Sequence, residues 1–245
     1  MTTPLHGIWR IVPSPALTEI IAQSGFDFQI LDAEHGGYDY QTLLTDGMAC
    51  EANRCQPWIR VSGTDKVEVQ RCLDLGARAI VFPQLATVDD FAAAAAMMDH
   101  APAGVRGFNP FVRAYGYGTP GAPSPRPWCV PIIETLAAVE QLDRILQLER
   151  IDLIYIGSYD LSTQLGVAGN MEAPQLTQVF DHIFERCHAA GKRVGAMALS
   201  AAAIDALTGR GFDALVHGVE SHRLKQAMLG IIPGARRAPA PPPGT

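Results

Sequence analysis

Eight short apolar runs alternate with longer helix-forming stretches, and no other feature restricts the folding of this chain so tightly. The runs are Gly7–Val12, Phe28–Asp32, Trp58–Val61, Ala79–Phe82, Cys129–Glu134, Leu153–Gly157, Arg193–Ala198 and Ala214–Gly218. Each is short enough for a buried strand. Between most of them lie stretches with apolar residues at helical spacing: Pro15–Ser24, Thr64–Leu75, Val88–His100, Leu136–Leu148, Gln175–Ala190, Ala201–Thr208 and Ser221–Leu229. Several helices are expected to stop at a glycine (Gly25, Gly76, Gly191, Gly211) just before the next strand, where a left-handed cap needs no Cβ. Strand, helix and strand in eightfold repetition predict an α/β fold, a parallel (β/α)8 TIM barrel. A doubly wound sheet is the alternative, but no GxGxxG follows the first strand.

The length agrees. The chain has 245 residues, close to the roughly 250 of a single barrel domain. The barrel is expected over residues 1–234, followed by a Pro/Ala-rich disordered tail at 235–245. Lys and Arg number 19 against 25 Asp and Glu, so the net charge is 19 − 25 = −6. That balance argues against a nucleic-acid partner. No apolar run reaches the ~18 residues of a membrane helix, and the start shows no signal-peptide pattern. Five scattered cysteines without a CxxC argue against a zinc cluster or disulfide framework, and a cytoplasmic location is expected. One connection, Ala101–Trp128, is long and rich in Gly, Pro and aromatics. It reads as an ordered loop at the barrel mouth or a subunit contact.

In such barrels the chemistry sits at the C-terminal strand ends. There the second strand runs into Asp32-Ala33-Glu34-His35. An Asp three residues before a His can hold one imidazole nitrogen and set the tautomer of the other; the structural alternative is a cap and a solvated loop. Arg60, among apolar neighbours on the third strand, needs an anion, either a substrate carboxylate or enolate or a structural partner such as Asp32 or Glu134. Glu134 and Asp160 close the fifth and sixth strands. Two such carboxylates repel unless a proton or cation lies between them, and oxygen ligands suit Mg²⁺, Mn²⁺ or Co²⁺ better than zinc. The bland alternatives are a helix cap for Asp160 and a first-turn acid for Glu134. No Lys stands at a strand end, so a Schiff-base nucleophile is missing. The remaining histidines lack ligand spacing, and Arg106 in the long loop faces either an anion or solvent.

Gly25-Phe26-Asp27-Phe28, Leu31-Asp32-Ala33-Glu34-His35, Arg60-Val61, Gly104-Val105-Arg106-Gly107, Ile133-Glu134-Thr135 and Ile156-Gly157-Ser158-Tyr159-Asp160-Leu161-Ser162 follow one another along the chain. In that order they resemble the HpcH/HpaI aldolase family, over about residues 5–229. The resemblance implies a metal-dependent (class II) aldolase that cleaves or forms a 4-hydroxy-2-oxo acid through a pyruvate-type enolate. It implies Glu134 and Asp160 as ligands of a divalent metal cation. Arg60 would stabilise the enolate oxygen, and His35 with Asp32 would form an acid/base dyad. The amides of Gly157, Ser158 and Tyr159 would receive the substrate carboxylate. It also implies a homo-oligomer (a hexamer or trimer of dimers), with the last helix packed on a neighbour. Two positions depart from the family pattern: Ser158 replaces a usual Pro, and Ile132 replaces a frequent Gln. Two other functions use the same barrel. One is a metal-independent, citrate-synthase-like condensation; the other is a catalytically silent binding protein.

Overall fold

A computed structural model describes residues 3–122 and 126–231 of the chain. The expected tail at 235–245 lies outside them. Eight parallel strands close on themselves in sequence order: β1 (Leu5–Arg10), β2 (Phe28–Asp32), β3 (Gln56–Arg60), β4 (Ala79–Phe82), β5 (Trp128–Ile133), β6 (Leu153–Ile156), β7 (Arg193–Met197) and β8 (Ala214–Val219). The expected TIM barrel is therefore the fold, with strand ends moved by one or two residues. The helices are α1 (Pro15–Gln23), α2 (Tyr40–Ala52), α3 (Lys66–Asp74), α4 (Val88–Ala96), α5 (Leu136–Glu140), α6 (Leu142–Ile145), α7 (Ser158–Gln164), α8 (Pro174–Ala189), α9 (Ala201–Arg210) and α10 (Glu220–Ile231).

Local chemistry explains most helix starts. Ser14, Asp39, Asp65, Thr87, Thr135 and Ser200 each accept a backbone N–H of the first turn, which satisfies one of the donors a helix start leaves open. At the far end of α9, Gly211 takes φ 94°, where a Cβ would be strained. The single helix expected over Leu136–Leu148 is instead two short ones that meet at Gln141. The Gln141 amide donates to the carbonyls of Ala86 and Ala137.

Strand alternation divides the apolar residues into two separate cores. Inward positions such as Trp9, Phe28, Ile30, Trp58, Val81, Val130, Ile132, Leu153, Tyr155 and Val216 fill the barrel. Outward ones such as Leu31, Ile59, Ile80, Phe82, Ile133, Ile154 and Leu215 pack beneath the helices. The next inward positions at the C-terminal ends are Asp32, Arg60, Glu134 and Gly157, so the alternation that fills the core also aims these residues into the mouth.

The long connection is not at that mouth. It follows α4 and precedes β5, and in a barrel the helix-to-strand turns lie at the N-terminal end of the strands. Tyr115, Arg106 and Arg113 pack there, while Phe108, Phe111 and Tyr117 are exposed. His100 meets the Tyr115 hydroxyl at 2.6 Å, Arg106 is buried on Asp74 at 2.8 Å, and Arg113 pairs with Glu51 and donates to the Leu75 carbonyl. Ion pairs within its own chain thus take up Arg106.

Near the bottom of the barrel, Gly7 makes room for an aromatic stack. Phe28 lies 3.9 Å from Trp58, centroid to centroid, and a Cβ on Gly7 would come within 2.2 Å of the Phe28 ring. Gly7→Ala is expected to cost about 1–3 kcal/mol through overpacking. Urea unfolding of the two proteins measures it, and equal midpoints would contradict the packing account.

Candidate active site

The mouth holds a cavity of about 810 Å3, and Asp32, His35, Arg60, Glu134, Gly157, Ser158, Tyr159 and Asp160 all line it. The strand-end candidates named from the sequence therefore come to one place, while Arg106 does not. The cavity continues between α8 and α9, past Leu176, Phe180, Ala203 and Leu207. It reaches the Asp181–Arg210 ion pair, which is 2.8 Å long.

At its centre lies a buried ion pair. Asp32 and Arg60 are register partners on β2 and β3. The Arg60 Nε donates to Asp32 Oδ1 at 2.9 Å, and its Nη2 donates to Oδ2 at 2.5 Å. The Trp9 indole N–H donates to Asp32 Oδ2 at 3.0 Å, and the Arg60 guanidinium lies 4.6 Å above the same ring. Burial works against the Asp32 charge, but Arg60, the His35 N–H and the Trp9 indole outweigh it and hold the carboxyl below its usual range. Glu34 lies 2.7 Å from the guanidinium Nη1. Arg60 thus enters the cavity flanked by two acids, with part of its five-donor fork still open.

This arrangement changes the expected role of Asp32. Its carboxylate does not hold the His35 imidazole. Oδ1 accepts the backbone N–H groups of Glu34 and His35, at 3.0 and 3.1 Å, so Asp32 shapes the turn rather than the tautomer. The His35 ring is 69% exposed, with Nε2 3.8 Å from Glu34 Oε1. A bidentate, charge-assisted contact to Arg60 outcompetes a single bond to a neutral imidazole.

Glu134 and Asp160 differ in surroundings. Glu134 is buried, at 3% exposure, and its Oε1 accepts the Gln84 N–H at 2.6 Å. Burial pushes its carboxyl up to about 7, reinforced by the nearby Asp160 and Glu34 and opposed by the Gln84 N–H and Arg60. Asp160 is exposed in the first turn of α7. It does not cap that helix, because the cap position is Gly157. Glu134 likewise stands just before the Thr135 cap of α5 and outside its first turn.

Among the described residues, no group of three or more His, Cys, Asp and Glu forms a self-contained metal site. Two oxygen ligands in an open cavity leave positions for water and substrate, as hard divalent cations commonly do. A buried carboxylate whose charge is resisted by desolvation and by two other acids would gain from such a cation. On that test Glu134 and Asp160 fit a divalent metal.

Gly157 acts differently from the expectation. Its N–H donates to the Ile133 carbonyl at 3.0 Å, so it is not free to receive a carboxylate. Its contribution is an absent side chain. A Cβ there would lie 2.5 Å from Glu134 Cβ and 2.9 Å from Glu134 Oε2. The amides of Ser158 and Tyr159 head α7, where a helix leaves its first N–H groups without intrahelical partners. Sequence reasoning missed Trp9, Glu34 and Gln84. Gln84 has φ 58°, a conformation rare for a non-glycine residue, and the bond to Glu134 accounts for it.

Glu134→Gln tests the electrostatics without substrate. A carboxyl raised above its unfolded value near 4.5 makes the folded state bind more protons between pH 4.5 and 7. Its burial therefore costs stability as pH rises through that window, and the cost is complete above pH 7. In chelator, the Gln protein should exceed the parent in stability at pH 8, on the order of 2 kcal/mol, and match it near pH 4.5. Denaturant midpoints at both pH values decide this, and an advantage independent of pH would contradict it.

Comparisons with known proteins identify the family. A 5-keto-4-deoxy-D-glucarate aldolase of Salmonella paratyphi C (strain RKS4594) is 34% identical over 196 residues, covering 78% of this chain and 77% of the relative. Among solved structures, an HpcH/HpaI aldolase/citrate lyase family protein from Burkholderia cenocepacia J2315 superposes with a TM-score of 0.88 at 26% identity, over 94% of this chain and 93% of the other. The citrate synthase SbnG superposes with a TM-score of 0.84 at 28% identity, over 94% and 91%. The model of the HpcH/HpaI aldolase/citrate lyase family matches residues 6–227, and the chain belongs to that family.

Proposed function

We propose that this protein is a carbon–carbon lyase, a class II aldolase that cleaves or forms a 4-hydroxy-2-oxo acid through a pyruvate-type enolate. The observation that carries the reading is the meeting of Arg60, His35, Glu134 and Asp160 around one cavity, in a chain 34% identical to a named aldolase. Glu134 and Asp160 would hold Mg²⁺, Mn²⁺ or Co²⁺. Bound there, the cation supplies Lewis acidity to the 2-oxo group and favours its enolate.

The other steps belong to the chain's own groups. The open guanidinium donors of Arg60 stabilise the oxygen on which charge develops when the C3–C4 bond breaks, and Asp32 fixes the direction of that fork. The exposed His35 imidazole, directly or through one water, takes the proton from the C4 hydroxyl in cleavage and returns it in synthesis. The amides of Ser158 and Tyr159 hold the substrate carboxylate. Gly157 keeps the space beside Glu134 open. The lobe between α8 and α9 leaves room for the aldehyde. All five cysteines are buried and free, which suits a cytoplasmic protein. Among the described residues no helix is long and apolar enough to cross a membrane.

Exchange of pyruvate methyl protons in D2O, followed by NMR, tests enolate formation without the aldehyde. Exchange should require Mg²⁺, Mn²⁺ or Co²⁺, stop in EDTA, and fall at least about 100-fold in Glu134→Gln. Unchanged exchange after metal stripping would sink the reading. The likeness to SbnG favours a second reading, a metal-independent condensation of oxaloacetate with an acyl-CoA. CoA release in EDTA would select it.

The chain is further proposed to work as a homo-oligomer, a hexamer or trimer of dimers. Support comes from α10, which is exposed from His222 to Ile231. Leu224 (49%), Met228 (52%) and Ile231 (68%) are left in water as one stripe at helical spacing. Next to its start, His6 of β1, His217 of β8 and Phe26 in the turn before β2 are half-buried. A neighbour's helix would cover such a stripe. Leu224→Arg with Met228→Arg should lower the particle mass in sedimentation while the barrel's circular dichroism stays unchanged. An unaltered mass would refute this use of α10.

A further inference from the structure

The barrel floor contains a polar group that no contact explains. Tyr155 lies on β6 and is 3% exposed, and its hydroxyl is buried with no hydrogen-bond partner among the described residues. Burying a hydroxyl without a partner costs ~1–3 kcal/mol, and such orphans are rare enough to require a cause. Packing does not supply one. The neighbours across the sheet are Ile132, the Cα register partner of Tyr155 on β5, and Gly195, its partner on β7, and neither has a side chain that offers an acceptor. The Trp9 ring, 5.6 Å away, directs its N–H to Asp32. A phenylalanine would fill the same space without the unsatisfied atom.

The position of Tyr155 suggests what the hydroxyl is for. Tyr155 lines the active-site cavity together with Arg60, Ile132 and Glu134. Arg60 and Glu134 are also the first charged groups whose fields reach it. Burial raises the phenol far above its ordinary range, so it keeps its proton and has a hydrogen bond to donate.

Resting on the aldolase reading, we infer that the Tyr155 hydroxyl is a second donor, beside Arg60, to the oxygen of the bound 2-oxo acid on which negative charge develops. It waits without a partner in the free protein and finds one when substrate arrives. A donor fixed in advance, away from water, acts on developing charge without reorganising. The inference also accounts for Ile132. With a donor on the neighbouring strand, the position facing Tyr155 can be apolar without leaving the floor of the site devoid of polar groups.

Tyr155→Phe tests this with three measurements on the full chain loaded with Mn²⁺. Oxalate, a planar dianion shaped like the enolate of a 2-oxo acid, serves as the probe in titration calorimetry. Its Kd should rise about tenfold in the variant, the effect of one lost hydrogen bond to a charged oxygen. The rate of pyruvate proton exchange at saturation should fall by a similar factor, with little change in the half-saturating concentration. The thermal midpoint of the ligand-free protein should stay level or rise, because the orphan is gone. Unchanged oxalate affinity in the variant overturns this inference alone. Loss of thermal stability together with oxalate affinity also overturns it, since a packing role would produce both. If the parent protein neither binds oxalate nor exchanges pyruvate protons, the aldolase reading fails and this inference fails with it.

Discussion

The bidentate contact between Asp32 and Arg60 is the constraint around which the site is built. A guanidinium at the end of an inward-facing strand position is costly to bury alone. Here its partner stands directly opposite on the adjacent strand, so the barrel's own register brings the two charges together. The consequences spread outward. Asp32 carries the indole of Trp9 and the first amides of the β2 turn, so the pair also fixes the path of the chain to His35. Arg60 is left aimed into the cavity over an aromatic face. Its charge is compensated by Asp32 and Glu34, yet its fork retains donors for a ligand. Because the pair sits where strand meets loop, the barrel positions the cation and the turn it fixes carries the imidazole.

Glu134 shows the opposite solution for a buried charge. Among the described residues it has no cationic partner in hydrogen-bond contact, only the Gln84 amide, and its environment resists ionisation. Three features keep it there: the inward parity of β5, the left-handed backbone at Gln84 that points an N–H at it, and the missing side chain at Gly157. The last two are a backbone cost and a vacancy that serve no purpose in folding. Departures from local rules of this kind gather at functional sites, and here two of them surround one carboxylate.

Much of this was legible in the sequence because barrel and site share one alternation. On β2, β3 and β5 the apolar inward residues end in a polar residue at the same parity, so reading the strands also read out Asp32, Arg60 and Glu134. What stayed hidden lay outside that pattern. Helix α2 buries Asp46 and Gly47 beside Leu43 and Cys50, so it shows no apolar stripe. Asp46 faces inward because it receives the Tyr38 hydroxyl and lies 3.7 Å from the buried Arg10. The spacing of Asp32 and His35 suggested a dyad, since linear distance gives no weight to a competitor 28 residues away. The aromatic loop after α4 looked like a mouth because of its composition, although its place between a helix and a strand assigns it to the opposite end. Gln84 was invisible because its contribution is a backbone amide.

Glu134 and Tyr155 border the same cavity: the Tyr155 hydroxyl has no hydrogen-bond partner among the described residues, and the Glu134 carboxyl, bonded to the Gln84 N–H, is in surroundings that resist its charge. In a structure optimised only for stability, each would be apolar or paired. Their proximity points to a shared missing partner rather than to two separate defects. A cation answers the carboxylate, and an anionic oxygen answers the phenol. A 2-oxo acid bound beside a divalent metal supplies both at once. On the proposed reading, the two groups describe the ligand in negative: a cation next to Glu134, and an oxygen carrying negative charge at Tyr155 and Arg60. That complementarity suits a site where charge moves from carbon to oxygen, and it ties the polarity of the floor to the chemistry proposed for the mouth.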